Sequence, residues 1–136
     1  MTVFVDTSAF YALLSASDTQ HAAARSAWNA LRRQRDTLLT SNYVLIETIA
    51  LIQHRLGMTA LREVHTAFLP LLSVAWIDQA LHTRAMSVLL AVAARDLSLV
   101  DCSSFEVMRD NAVQTAFAFD AHFSQQGFQC MPLFPD

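Results

Sequence analysis

Four carboxylates in this chain invite a chemical reading: Asp6, Glu47, Asp101 and Asp120. Three follow short runs with strand character, Asp6 after TVFV, Asp101 after SLV and Asp120 after AFAF. Glu47 lies between YVLI and TIALI, where a carboxylate on an amphipathic helix has little room to reach bulk water. Taken singly, each Asp has an ordinary structural explanation, because Asp between a strand and a helix is a common N-cap. Glu47 has one too, as a long side chain snorkelling to the surface. Gathered at one place, the four would repel one another and raise at least one pKa, and such clusters normally hold a hard divalent cation. Oxygen-only donors point to Mg²⁺ or Mn²⁺, and the spacing of the His and Cys residues builds no zinc site.

What brings these residues together is a set of alternating elements. Thr2 to Val5 is a β-branched and aromatic run, and TSAFYALLS after Asp6 has helical spacing. Asp18 and Thr19 are N-cap types before HAAARSAWNALRRQR, and Leu38 to Thr40 is a short strand candidate. Ser41 or Asn42 caps YVLIETIALIQHRLG, which Gly57 closes at a C′ position. MTALREVHTAFLPLLSV continues with helical period until Pro70 bends or ends it, AWI reads as a strand, and Asp78 caps DQALHTRAMSVLLAVAAR. Leu97 to Val100 leads into Asp101 and a helix, Thr115 to Phe119 is a strand ending at Asp120, and Phe128 to Leu133 closes the sheet. Strands alternating with helices imply βαβ crossovers, hence a three-layer α/β/α sandwich with a mainly parallel central sheet. In such a sheet, ligands bind beyond the carboxyl ends of the strands, which is where the three Asp residues fall.

The totals agree with one domain spanning residues 1–136. Two Gly and three Pro against 54% hydrophobic residues favour long regular elements over a turn-rich β-sandwich. Cys102 and Cys130 are too few for a disulfide framework and read as reduced thiols of a cytoplasmic protein. The start lacks a basic segment before an apolar stretch, and no run of apolar residues is long enough to span a bilayer, so neither export nor a membrane partner is expected. A mean hydropathy of +0.32 is high for a small soluble monomer and predicts apolar surface buried against another chain. All nine basic side chains are Arg. With no Lys, P-loop and Schiff-base chemistry fall away, as does a phospho-acceptor or phosphatase reading with Asp6 as nucleophile, which also lacks a second Asp two residues on.

The segments VDTSAF, YVLIET, LVDCSSFEVMRD and AFAFDAHF resemble, in order and spacing, the four acidic motifs of the PIN-domain family, over nearly the whole chain. The resemblance implies a compact α/β/α fold and a ribonuclease dependent on Mg²⁺ or Mn²⁺, often the VapC-type toxin of a toxin-antitoxin pair. It carries RNA as substrate, a cognate antitoxin and a homodimer as expected partners. Matched residue by residue, it assigns Asp6, Glu47, Asp101 and Asp120 as catalytic and metal-binding, with Thr7, Ser8 and Ser104 in support. Asp6 and Asp101 would be the principal ligands, Asp120 would bind directly or through water, and Glu47 would orient or deprotonate the attacking water. The last motif departs from the common toxin form, leaving one ion or two open. His122 reads as a solvated or capping side chain, with a contact to RNA or a leaving group as the alternative. Arg32, Arg33 and Arg35 suit a helix C-terminus, with RNA backbone contact as the alternative. Trp28, Trp76 and Phe68 are expected in packing rather than base stacking. Tyr11, Leu13 and Leu14, with ALIQHRL, are candidates for an antitoxin groove or a dimer face. The competing functions are a catalytically weak interaction module on the same scaffold and a free-standing RNA-processing nuclease.

Overall fold

The computed structural model describes residues 1–132. Five parallel strands form one sheet, β1 (Thr2–Val5), β2 (Thr37–Ser41), β3 (Leu72–Ala75), β4 (Thr115–Phe117) and β5 (Gln129–Met131), in the order β3-β2-β1-β4-β5. Seven α-helices connect them: α1 (Thr7–Leu14), α2 (His21–Arg33), α3 (Asn42–Arg55), α4 (Met58–Glu63), α5 (Gln79–Val92), α6 (Leu99–Asp110) and α7 (Ala121–Gln125). Val3, Phe4 and Val5 of the central strand are all fully buried, although successive side chains point to opposite faces. Both faces of the sheet are therefore covered, the three-layer arrangement expected from the alternation.

Local chemistry explains most boundaries. Ser41 caps α3 by accepting from Val44 N at 3.1 Å, and Asp78 caps α5 by accepting from Leu81 N at 3.0 Å. Gly57 takes φ +88° after α3, a conformation that L side chains rarely adopt. At α2 the cap residue is Gln20 rather than Asp18 or Thr19; Asp18 instead turns the chain ahead of it by accepting from Gln20 N at 2.8 Å. Beyond α4 the chain widens to a π-helical turn over Val64–Phe68 and tightens to a 3₁₀ turn at Leu69–Leu71, where Pro70 ends the helical run.

Two strand assignments differ from the expectation. β3 begins directly after that 3₁₀ turn, and only Ala75 of the AWI run belongs to it. The backbone N–H of Ile77 leaves the sheet to donate to Asn42 Oδ1 at 2.7 Å. SLV is not a strand: Ser98 caps α6, and Leu99 and Val100 are its first residues. The closing strand is the three residues of β5, and Leu133 lies outside the described residues.

The core is aromatic around α6 and α7, where Phe123 meets Phe105 at 5.2 Å and Phe4 at 6.3 Å between ring centres. Trp28 packs on Phe68 at 5.0 Å, as expected of a core aromatic, whereas Trp76 is 75% exposed. Leu13 is also in the core, so the face proposed for α1 is left to Tyr11 and Leu14. Ile46, Ile49 and Met58 are exposed on α3 and α4, the apolar surface that the mean hydropathy announced. Among the described residues no helix is long and apolar enough to cross a membrane.

Candidate active site

Strand order reverses at β1, since β2 and β3 are added on one side of it and β4 and β5 on the other. The crevice of such a switch point opens beyond the carboxyl ends of β1 and β4. Asp6 stands immediately after β1. Its Oδ2 accepts from Ser8 N at 3.1 Å and from Ser8 Oγ at 2.6 Å, and its own N–H donates to Phe117 O at 3.1 Å. Ser8 Oγ also accepts from Phe119 N at 2.9 Å, so one hydroxyl clamps the ends of both central strands. Asp6 is only 4% exposed. Burial pushes its carboxyl up to about 6; the charges of Asp101 and Asp120 act the same way, against the two bonds from Ser8.

Asp120 comes three residues after β4 and caps α7, its Oδ1 accepting from His122 N at 2.9 Å. That bond folds the His122 ring back toward the carboxylates. Nδ1 lies 2.8 Å from Asp120 Oδ1 and 3.7 Å from Asp101 Oδ2, buried yet without an aligned hydrogen-bond partner. Nε2 faces outward, 3.2 Å from Asp96 Oδ2 in the loop between α5 and α6. Burial works against the imidazolium, but the bond to Asp96 and the charges of Asp120, Asp101 and Asp96 outweigh it and raise the pKa of His122.

Asp101 is held within the first turn of α6 by a reciprocal cap. Its N–H donates to Ser98 Oγ at 3.0 Å while its Oδ2 accepts from Ser98 N at 3.2 Å. Burial raises its pKa and the charge of Asp120 adds to the effect, opposed by the bonds from Ser98 and by His122. One donor atom each from Asp101, Asp120 and His122 lies within 4.8 Å of the others.

Neither Asp6 nor Glu47 is part of that group; Asp6 is near enough for the charges of Asp101 and Asp120 to act on it, and Glu47 is half-buried on α3. Its helix is tied to the site by Thr7, whose Oγ1 lies 3.0 Å from Thr48 Oγ1 and donates to Val44 O at 3.4 Å. Ser104 is fully buried and its hydroxyl is taken by Val100 O at 2.9 Å, within its own helix. Asp6, Asp101 and Asp120 are thus brought into mutual electrostatic range, Glu47 stands on a neighbouring helix, and Ser104 faces its own backbone. His122 and Asp96 belong to the site although their residue types alone do not announce it. A usable signal was the spacing of Asp120 and His122, because a residue two beyond an N-cap Asp is held beside that carboxylate by its own N–H.

The donor set fits a divalent cation. Among the described residues, arginine ion pairs with carboxylates go to Glu106 and Asp110, and none reaches Asp6, Asp101 or Asp120. Among the described residues the one cationic side chain paired with Asp101 and Asp120 is the imidazole of His122, and burial has already made ionisation of Asp6 costly.

A parallel α/β/α domain with acidic side chains gathered beyond its two central strands defines a class of site suited to cation-assisted chemistry on charged substrates. Residues 3–129 match the family model described as the PIN domain, and the chain belongs to that family. It is 37% identical over 129 residues, 93% of this chain and 95% of the relative, to the 23S rRNA-specific endonuclease VapC20 of Mycobacterium tuberculosis strain H37Rv. The crystal structure of Mycobacterium tuberculosis VapC20, titled a sarcin-ricin loop cleaving toxin, superposes with a TM-score of 0.83 at 35% identity, covering 93% of this chain and 95% of that one. FitAcB from Neisseria gonorrhoeae shares the fold with a TM-score of 0.68 at 13% identity, covering 96% of each chain.

Proposed function

We infer that this chain is an endoribonuclease dependent on Mg²⁺ or Mn²⁺ and the toxin of a toxin-antitoxin pair. What supports the reading is that Asp101, Asp120 and His122 offer donor atoms within 4.8 Å of one another, with Asp6 in electrostatic range of both acids, in a chain 37% identical over 93% of its length to an rRNA endonuclease. A bound cation would supply positive charge against the phosphate oxygens and lower the pKa of water. Asp6, Asp101 and Asp120 would hold it, with Ser8 keeping the Asp6 carboxylate in place. Glu47, on the neighbouring helix, would orient or deprotonate the attacking water, and Thr7 sets the position of that helix. Ser104 contributes packing beneath α6. RNA is the substrate, and a hairpin of ribosomal RNA is the first one to test. A cognate antitoxin and a second copy of this chain are the partners, meeting apolar surface such as that around Ile46, Ile49 and Met58, and the protein acts in the cytoplasm.

The test is cleavage of labelled rRNA hairpin and single-stranded RNA by the purified protein with Mg²⁺, Mn²⁺ or EDTA, beside Asp101→Asn. The expected result is metal-dependent cleavage reduced about a hundredfold or more in the variant, the equivalent of roughly 3 kcal/mol of transition-state stabilisation. Cleavage that persists in EDTA would refute the mechanism. None with either ion would leave the interaction module as the better reading.

A further inference from the structure

We propose that His122 is itself a ligand of the cation, through Nδ1, and that Asp96 is the residue that orients it through Nε2. The inference rests on the metal-dependent reading of the site and adds a nitrogen donor to what would otherwise be an all-carboxylate set.

A carboxylate can only accept, so the 3.2 Å contact between His122 Nε2 and Asp96 Oδ2 requires the proton on Nε2. In the neutral ring Nδ1 then carries a bare lone pair. Nδ1 faces Asp120 Oδ1 at 2.8 Å and Asp101 Oδ2 at 3.7 Å, and the three residues offer one donor atom each within 4.8 Å of one another. A shared cation resolves that arrangement. The alternative is an imidazolium acting as counter-charge, its Nδ1 2.8 Å from Asp120 Oδ1, and metal binding separates the two. The ring is also well held: Asp120 accepts from its backbone N–H, and Phe123 beside it is locked against Phe105 and Phe4. A carboxylate on the far nitrogen of a ligating histidine is the usual way to fix its tautomer and strengthen it as a donor.

A mixed nitrogen and oxygen set changes metal preference. Mg²⁺ keeps to oxygen ligands, whereas imidazole suits transition metals, so this site should favour Mn²⁺ beyond what carboxylates alone would give. Asp96 is the lever for a clean test because its side chain is 80% exposed and its replacement leaves the core untouched.

The experiment is calorimetric titration of the full chain with MnCl₂ and with MgCl₂, for wild type, His122→Ala and Asp96→Asn, with electron spin-echo spectra of the Mn²⁺ complexes. His122→Ala should weaken Mn²⁺ binding about tenfold or more and Mg²⁺ binding less, and Asp96→Asn should follow in the same direction with a smaller loss. Wild type should show modulation from a bound imidazole nitrogen that His122→Ala lacks. Unchanged or tighter binding of both ions in His122→Ala would overturn the proposal in favour of a counter-charge, as would a wild-type spectrum without nitrogen modulation. Should His122→Ala fail to fold, the wild-type spectrum and Asp96→Asn still decide. If wild type binds neither ion, the metal reading itself falls; if it binds Mn²⁺ and the variants bind equally well, only the role of His122 does.

Discussion

Replacing Asp6 by Asn should make the cation-free protein more stable, and the gain should depend on pH. The carboxyl titrates near 6 in the fold against 3.8 for the free side chain. At about 1.36 kcal/mol per pKa unit, the ionised form therefore costs the fold about 3 kcal/mol. The sign follows from which state holds the proton more tightly. Below pH 3.8 Asp6 is protonated in both states and stability is at its full value; as pH rises toward 6 the unfolded chain ionises first, and stability falls until the folded carboxyl has titrated. Asn keeps an oxygen for the Ser8 donors and carries no charge at any pH. In EDTA at pH 8, Asp6→Asn should unfold up to about 10 °C above wild type, with the two converging near pH 4. Saturating Mn²⁺ should reverse the order, because the cation stabilises the state that binds it and the variant has lost a ligand. Thermal unfolding at several pH values, with EDTA and with Mn²⁺, provides the assay. A gap that stays constant from pH 4 to 8 in EDTA would refute the argument that burial and crowding make Asp6 expensive to ionise.

Ser98→Ala removes one half of the reciprocal cap on α6 and should cost about 1 kcal/mol in urea unfolding, with weaker Mn²⁺ binding because Asp101 loses its partner. Unchanged Mn²⁺ affinity would mean that Asp101 is positioned by the helix alone. Phe123→Ala empties a fully buried site between Phe105 and Phe4 and should cost about 3 to 5 kcal/mol. A loss below about 1 kcal/mol would mean that α7 is not anchored by that ring.

The site was legible in the sequence to different depths. Asp6 could be placed because TVFV is a clear strand and the next residues are helical, so the carboxylate had to lie at the strand end. Asp120 followed from the same pattern. Asp101 lies near Asp120 on a different support from the one its neighbours suggest: SLV has strand-like side chains, but Ser98 offers an oxygen to Asp101 N and starts a helix there instead. A local hydrogen bond overrode propensity. Asp96 was out of reach, since its partner His122 lies 26 residues away and their contact depends on how the α5–α6 loop packs over α7. Glu47 was rightly judged partly shielded, while its helix is joined to the site by Thr7 and Thr48, a contact across 41 residues that no local pattern encodes. The sheet was expected from the alternation, but the position of β3 depended on where Pro70 ended a helix.

The position of β1 in the sheet sets an order in time. The first strand of the sheet in chain order is its middle one, and its second neighbour is β4, with Val3 in register with Thr115. Until that late segment exists, one edge of β1 is open and Asp6 lacks the Phe117 carbonyl and the Ser8 to Phe119 clamp that set its geometry. Pairing across so much chain is slow, and it cannot begin before Thr115–Phe117 have emerged. The geometry around Asp6 is therefore completed late: the acidic site exists only once the β4 segment has paired with β1, and a chain that stops short of it carries none.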